Sequence, residues 1–297
     1  MKIQKLICLL IIILFSWTIY VSPSHAEKTK DINELLGDGS CLWCDLSEVN
    51  LTGANLQKIN VAYSDLSFAN LSQSNLNKAD LSETDLSFAD LSDADLGNAN
   101  LGSSNLSNAN LSNASLYNAN LGDSTLTNAN LSNANCENAK FSGIESSRMT
   151  GINLQSANLK GANLKGVSLT KANLTSADLS NKVDLSKARL NRSNLTGTIL
   201  IGANLKESHL TEVELKSSNL SYADLSKAVL NRANLTQANL KGANLKNAIL
   251  KDAILKNADL TGADLTGTDL RGVDLSGANL QNTILTDAIM PNGKSHQ

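Results

Sequence analysis

Aromatic residues are nearly absent: Phe, Trp and Tyr make up 3% of the 297 residues, with two prolines and three histidines. A globular domain of this length fills its core with aromatic and β-branched residues as well as Leu. Here the 41% hydrophobic content is almost all Leu and Ala, which argues against a compact α/β enzyme and for construction by repetition. His209 is the sole histidine of the repeated body, so no Ser/His/Asp set can be assembled around it. The glycines follow the repeat rather than a phosphate-cradling loop, and the Gly-rich nonapeptide of calcium-binding β-rolls is missing. Basic and acidic residues nearly balance, 25 against 28, for a formal charge of −3. Such a chain holds no electrostatic attraction for nucleic acid or an anionic membrane.

Long hydrophobic runs are lacking except at the start. Lys2 and Lys5 precede an unbroken apolar stretch, Leu6–Val21, and Ser22-Pro23-Ser24-His25-Ala26 follows with small residues before a cleavage point after Ala26. This pattern predicts a signal peptide over residues 1–26, sixteen apolar residues being short for a membrane span. Cys8 precedes most of the apolar region and so is not a lipoprotein cysteine. Cleavage leaves an exported chain of 271 residues with a formal charge of −5 and no membrane segment.

What is present is a period of five. Apolar centres recur at Leu46, Leu51, Leu56, Val61 and every fifth residue to Cys136 and Phe141, then from Leu154 to Leu179, then from Leu185 to Met290. Of these 48 centres, 44 are Leu, and the residue two before each centre is Ala in 29 cases and otherwise mostly Ser, Thr or Val. A period of five suits neither a helix nor a free strand. It suits a solenoid in which each pentapeptide is a short extended side followed by a corner. The centre and the small residue before it share the inner face, being two apart. Twelve of the 18 glycines lie two positions after a centre, and Asn takes that place at Asn98, Asn108, Asn113, Asn118 and Asn128. There the third residue of a type II turn needs φ > 0.

With its A-(D/N)-L-x-x units from Cys44 to Asn292, the chain resembles the pentapeptide-repeat proteins, in the exported form met in cyanobacteria. The resemblance implies an all-β solenoid: a right-handed quadrilateral β-helix of four pentapeptides, or 20 residues, per coil. At about 4.8 Å between neighbouring strands, roughly 12 coils would make a rod on the order of 60 Å long.

An open solenoid end must be covered. A helical N-terminal cap is expected over 27–40, its helix running Thr29–Gly37 with acids early and Gly37 closing it. The first repeat block is expected over 41–143, a break over 144–151, and a second block over 152–292 with a one-residue slip near 181–182. Pro291 stops the pattern, leaving a tail over 293–297. If Met149 serves as a centre, the break holds three extra residues near Ile144–Ser147. Cys41 and Cys44 bracket Leu42-Trp43. C-x-x-C can be redox-active, but no βαβ context surrounds it, and zinc would need a second ligand pair. Export makes a disulfide pinning the cap the expected state, and similar exported pentapeptide-repeat proteins carry C-x-x-C here. Cys136, at a centre, is expected to be a buried thiol.

Charge is unevenly divided. Residues 44–143 carry 11 acids against Lys58, Lys78 and Lys140; residues 152–292 carry 16 basic and 12 acidic residues. A 20-residue coil stacks Asp45, Asp65 and Asp85 in one column and Phe68 and Phe88 in the next, a candidate interaction patch. Lys241, Lys246, Lys251 and Lys256 fall on successive faces, a belt suited to solubility. Leu205, Leu225 and Leu245 are expected to stack as structural core. The function expected is an exported non-enzymatic scaffold or protein-interaction rod in the periplasm or thylakoid lumen, without cofactor or metal. Its partner would be a protein, with self-association through ends or faces left open. The alternative, a DNA-mimic topoisomerase-binding protein, wants a cytosolic rod acidic along its whole length.

Overall fold

The computed structural model describes residues 23–143 and 147–296. The apolar leader Leu6–Val21 and break residues 144–146 lie outside them. The pentapeptide rule becomes a ladder. The Leu46 N–H donates to the Asp65 carbonyl at 2.7 Å, and the Asp65 N–H donates to the Cys44 carbonyl at 2.9 Å. Parallel bridges join residues twenty apart at the position before each centre: Asp45 to Asp65, Asn50 to Asn70, Asn55 to Asn75, Asn60 to Asp80. Four bridges and four turns therefore make one coil. Each turn closes through a bond such as Ala54 N–H to the Leu51 carbonyl, 3.0 Å, with the residue two after the centre near φ +60°. That is the type II geometry.

Centres from Leu46 to Leu270 are buried, Leu205, Leu225 and Leu245 among them. The inward small positions are buried with them, Ala54 only partly, and their hydroxyls donate to backbone carbonyls of the same or the neighbouring coil. Ser74 donates to the Leu71 carbonyl at 2.6 Å, and Thr268 to the Leu245 carbonyl at 2.8 Å. Cys136 is fully buried, and loss of solvation pushes its thiol pKa up to about 12.

Both slips are absorbed without interrupting the ladder. Thr125 bridges Arg148 and Lys140 bridges Asn163, a spacing of 23, with Met149 buried as a centre. Asn163 bridges Asp184 at a spacing of 21, and twenty returns at Asp184 to Asn204. The extra residue sits where Asn181 and Lys182 take φ of 59° and 60° in succession. Gly143 departs from the expected turn, since it lacks positive φ. A Cβ there would collide with the Asp123 carboxylate. Close approach, not turn geometry, explains that glycine.

The ends differ from expectation. The helix, α1, spans Pro23–Asp38. It starts four residues earlier than the 27–40 cap because Pro suits a helix start, and its first turn has no acid. Gly37 lies inside α1; the chain exits at Gly39, φ 70°, whose N–H donates to the Leu35 carbonyl at 3.0 Å. Leu35 is buried in the core with Ile32 packed against it, so α1 covers the first coil. A cut after Ala26 would fall one turn inside this helix. At the other end Pro291 does not terminate pairing. The chain turns through Gly293, whose N–H donates to the Met290 carbonyl at 2.8 Å, and Ser295 bridges Ile289 antiparallel. Pro291 lies in the turn, where no ladder N–H is needed.

Candidate functional site

The expected patch comes together. Asp45, Asp65 and Asp85 are successive rungs of one column. Each Oδ1 accepts the N–H two residues on, from Ser47 at 3.1 Å, Ser67 at 2.8 Å and Ser87 at 2.9 Å. Asn at this position does a second job: the Asn105 Nδ2 donates to Asp85 Oδ1 at 3.1 Å, and Asn120 to Asn100 at 2.9 Å. Asp has no proton for that inter-coil bond. Among the described residues, Asp45–Asp65 and Asp65–Asp85 are the only bridges pairing Asp with Asp.

Phe68 and Phe88 stack with ring centroids 4.9 Å apart and planes 2° from parallel, both more than half exposed. A second stack, missed in the sequence, flanks the column on its other side. Trp43 and Tyr63 lie 4.5 Å apart at 13°. Trp43 is 74% and Tyr63 41% exposed. The sequence held the signal: Cys41 stands five before Leu46, in centre register, which makes Trp43 a turn residue twenty before Tyr63, and Cys41 is buried as a centre would be. The Glu83 carboxylate, one coil further, raises the Tyr63 hydroxyl pKa above its usual value by charge and by hydrogen bonding.

Cys41 and Cys44 are buried, their sulfurs at bonding separation and their Cα atoms 5.8 Å apart. The Ser64 hydroxyl ties the segment down, donating to the Cys41 carbonyl at 2.9 Å and accepting the Cys44 N–H at 3.0 Å. The Asp31 carboxylate accepts the Asp45 N–H at 2.9 Å, linking α1 to the same coil. Asp31, Cys41 and Cys44 converge, but sulfurs at bonding separation offer no thiolate pair to a metal.

The lysine belt has partners. Lys246 Nζ lies 3.0 Å from Asp264, eighteen residues on, as Lys160 lies 3.1 Å from Asp178. Lys241, Lys251 and Lys256 make no such ion pair among the described residues, but their charges help lower the carboxyl pKa of Asp259, Asp269 and Asp274, behind the hydrogen bonds from Thr261, Arg271 and Ser276. A side chain just after a centre therefore stands beside the position before a centre on the next coil. On another corner Glu212 is held between Arg192, 2.8 Å, and Arg232, 3.6 Å. The Arg192 hydrogen bond leads in lowering its carboxyl pKa. The basic ends of these pairs are exposed and the acidic ends half-buried, so water screens them.

The family model for pentapeptide repeats matches in eight copies, over residues 44–61, 64–102, 104–143, 147–181, 182–216, 214–252 and 253–290. The chain belongs to the pentapeptide repeat family. Among solved structures it is similar to HetL, a pentapeptide repeat protein involved in heterocyst differentiation regulation in the cyanobacterium Nostoc sp. strain PCC 7120. Identity is 29% over 89% of this chain and 97% of that one, with a TM-score of 0.28. Rfr23 of the cyanobacterium Cyanothece 51142 is 32% identical over 41% of this chain and 90% of that one, TM-score 0.26. A pentapeptide repeat protein of the Arabidopsis thaliana thylakoid lumen is 28% identical over 40% and 68%, TM-score 0.16. No curated protein matches. Membership makes the described ladder a β-helical solenoid with one short helix. No helix of the described residues is long and apolar enough to cross a membrane.

Proposed function

We propose that this pentapeptide repeat protein is an exported, non-enzymatic rod that acts as a scaffold or protein-interaction module in a periplasm or thylakoid lumen. The observation that carries the reading is the division of labour along the ladder. Centres and small residues are consumed in packing, and Asn and Asp before each centre in turns and rungs. The outward turn positions tolerate almost any side chain and so are free to specify a partner. The leader pattern of residues 1–26 supports export, and the joined Cys41 and Cys44 suit an oxidising compartment. The right-handed, four-sided course and the two-block division of the repeats belong to the same reading. Four bridges per coil, the spacing of 23 from Thr125 to Lys140 and that of 21 from Asn163 to Asp178 support them.

Two measurements on protein from its own cell test it. Mass spectrometry should find Glu27 as the N-terminus. In situ crosslinking through the rod should then retain a protein partner in the exported fraction. An intact Met1 in the cytosol would overturn export and favour the DNA-mimic alternative.

A further inference from the structure

We infer that the side of the first three coils between the Trp43–Tyr63 and Phe68–Phe88 stacks is a docking surface for a lysine- and arginine-rich segment of a partner protein. This rests on the interaction-rod reading and names its face and its partner's chemistry.

Seven aromatic residues lie beyond residue 26, and Phe141 is buried. Four of the remaining six stand at the two corners of this one side, within 46 residues. Turn decoration without purpose would scatter them over four corners and the whole length. Exposed ring pairs in register, one coil apart, make two apolar ridges along the rod. Contiguous apolar surface of this kind marks a contact site.

The strip between the ridges chooses the occupant. Its columns carry Asp45, Asp65, Asp85, Glu48 and Glu83 and no Lys or Arg over residues 41–88. Lys58 and Lys78 belong to another corner, ten residues from Phe68 on either side and half a coil away. The Asp–Asp rungs add a reason internal to the fold. An Asn amide proton relieves the carboxylate below it where Asn100 meets Asp80, 3.0 Å, and where Asn105 meets Asp85 at the far end of this column, 3.1 Å. Here carboxylate follows carboxylate through two rungs, a like-charge juxtaposition that costs stability. A fold indifferent to this face would place Asn at Asp65, since Asn makes the same turn bond. Cationic side chains complement that negative charge: ammonium or guanidinium groups reach the carboxylates, and their aliphatic stems lie along the ring ridges.

The test uses the full protein and a fluorescently labelled peptide alternating lysine with leucine, beside its glutamate–leucine counterpart. Asp65→Asn with Asp85→Asn removes charge while keeping the Oδ1 turn bonds. Phe68→Ser with Phe88→Ser removes one ridge. Tyr222→Ser removes an exposed aromatic elsewhere. By fluorescence anisotropy the lysine peptide should bind, more weakly as salt rises, and the glutamate peptide should not. Each double variant should weaken binding by about tenfold, the size of a lost charge-assisted contact pair, and Tyr222→Ser should leave it unchanged. Cooperative circular dichroism melts, at or above the wild type for the asparagine variant and close to it for the serine variant, show that the double variants remain folded. Binding indifferent to both double variants, or equal for the two peptides, overturns the face. If the crosslinked partner stays attached to both double variants, the face falls while the interaction rod stands. If peptide binding behaves as stated but no partner is ever crosslinked, the rod reading falls instead.

Discussion

At the residue scale, the turn position two after each centre shows how one backbone requirement selects side chains. Among the described residues, thirty-eight other than Gly hold positive φ, almost all at this position. They include Asn, Asp, Ser, Lys, Glu and aromatics, but no Val, Ile or Thr. A second branch on Cβ collides with the backbone there. Thr and Ile appear instead just after or just before the centre, as at Thr175 and Ile199. Inward positions obey a different rule, since they see no water. Leu225→Asp would place a carboxylate in a shaft with no donor and should cost more than about 4 kcal/mol. Ser226 is not the outward control its sequence position suggests: it is half-buried, and its N–H donates to Asp224 Oδ1 at 2.9 Å. Lys227, exposed with φ 58°, is the better one, and Lys227→Asn should be neutral or slightly stabilising. Circular dichroism melts and hydrogen exchange decide between them. Equal melts for the two variants would contradict the inward assignment.

At the element scale, the unit is the pair of adjacent coils. The four lysines on one coil stand beside Asp259, Asp264, Asp269 and Asp274 on the next. All four carboxyls are held below the ordinary value of 3.8. For Asp259 the Thr261 hydroxyl leads; for Asp264 burial pushes upward, but Thr266 and Lys246 outweigh it. A depressed folded pKa means stability that is complete above the unfolded value and is lost as pH falls through the folded one. The coils around Lys241–Asp274 should therefore hold steady from neutral pH down to the ordinary Asp range and weaken below it. Hydrogen exchange by mass spectrometry along an acid series should show their protection falling there. Replacing Lys246, beside Asp264, and Arg271, whose hydrogen bond leads in lowering the Asp269 pKa, by Gln should lessen the fall; unchanged acid sensitivity would deny these cations their part.

At the scale of the whole molecule, a one-dimensional ladder is only as secure as its ends. α1 closes one end through Leu35, while the last coil is less well covered, with Leu275, Leu280, Leu285 and Met290 only partly buried. The antiparallel turn-back at Ile289–Ser295 occupies part of that edge. Ending the chain at Pro291 should remove it, lower exchange protection in the last coil and promote end-to-end association. Size-exclusion chromatography with light scattering would register the association. A truncated chain that stays monomeric with unchanged protection would show the tail to be dispensable.

The division between sequence and tertiary structure follows from the range of the forces involved. Period five, inward Leu, small neighbours and left-handed turns are local demands repeated dozens of times, so they were legible in the chain alone. The stacking of Asp45, Asp65 and Asp85 and of Phe68 and Phe88 followed from the 20-residue coil that the family resemblance supplied. Three features needed the folded molecule, because each depends on which residue lies across a coil boundary. One is the side-chain rung, where Asn donates and Asp cannot. Another is the eighteen-residue offset that sets Lys246 against Asp264. The last is at the termini, where no periodicity applies. There α1 begins at Pro23 and the tail reverses because an open ladder edge must find partners for its backbone groups.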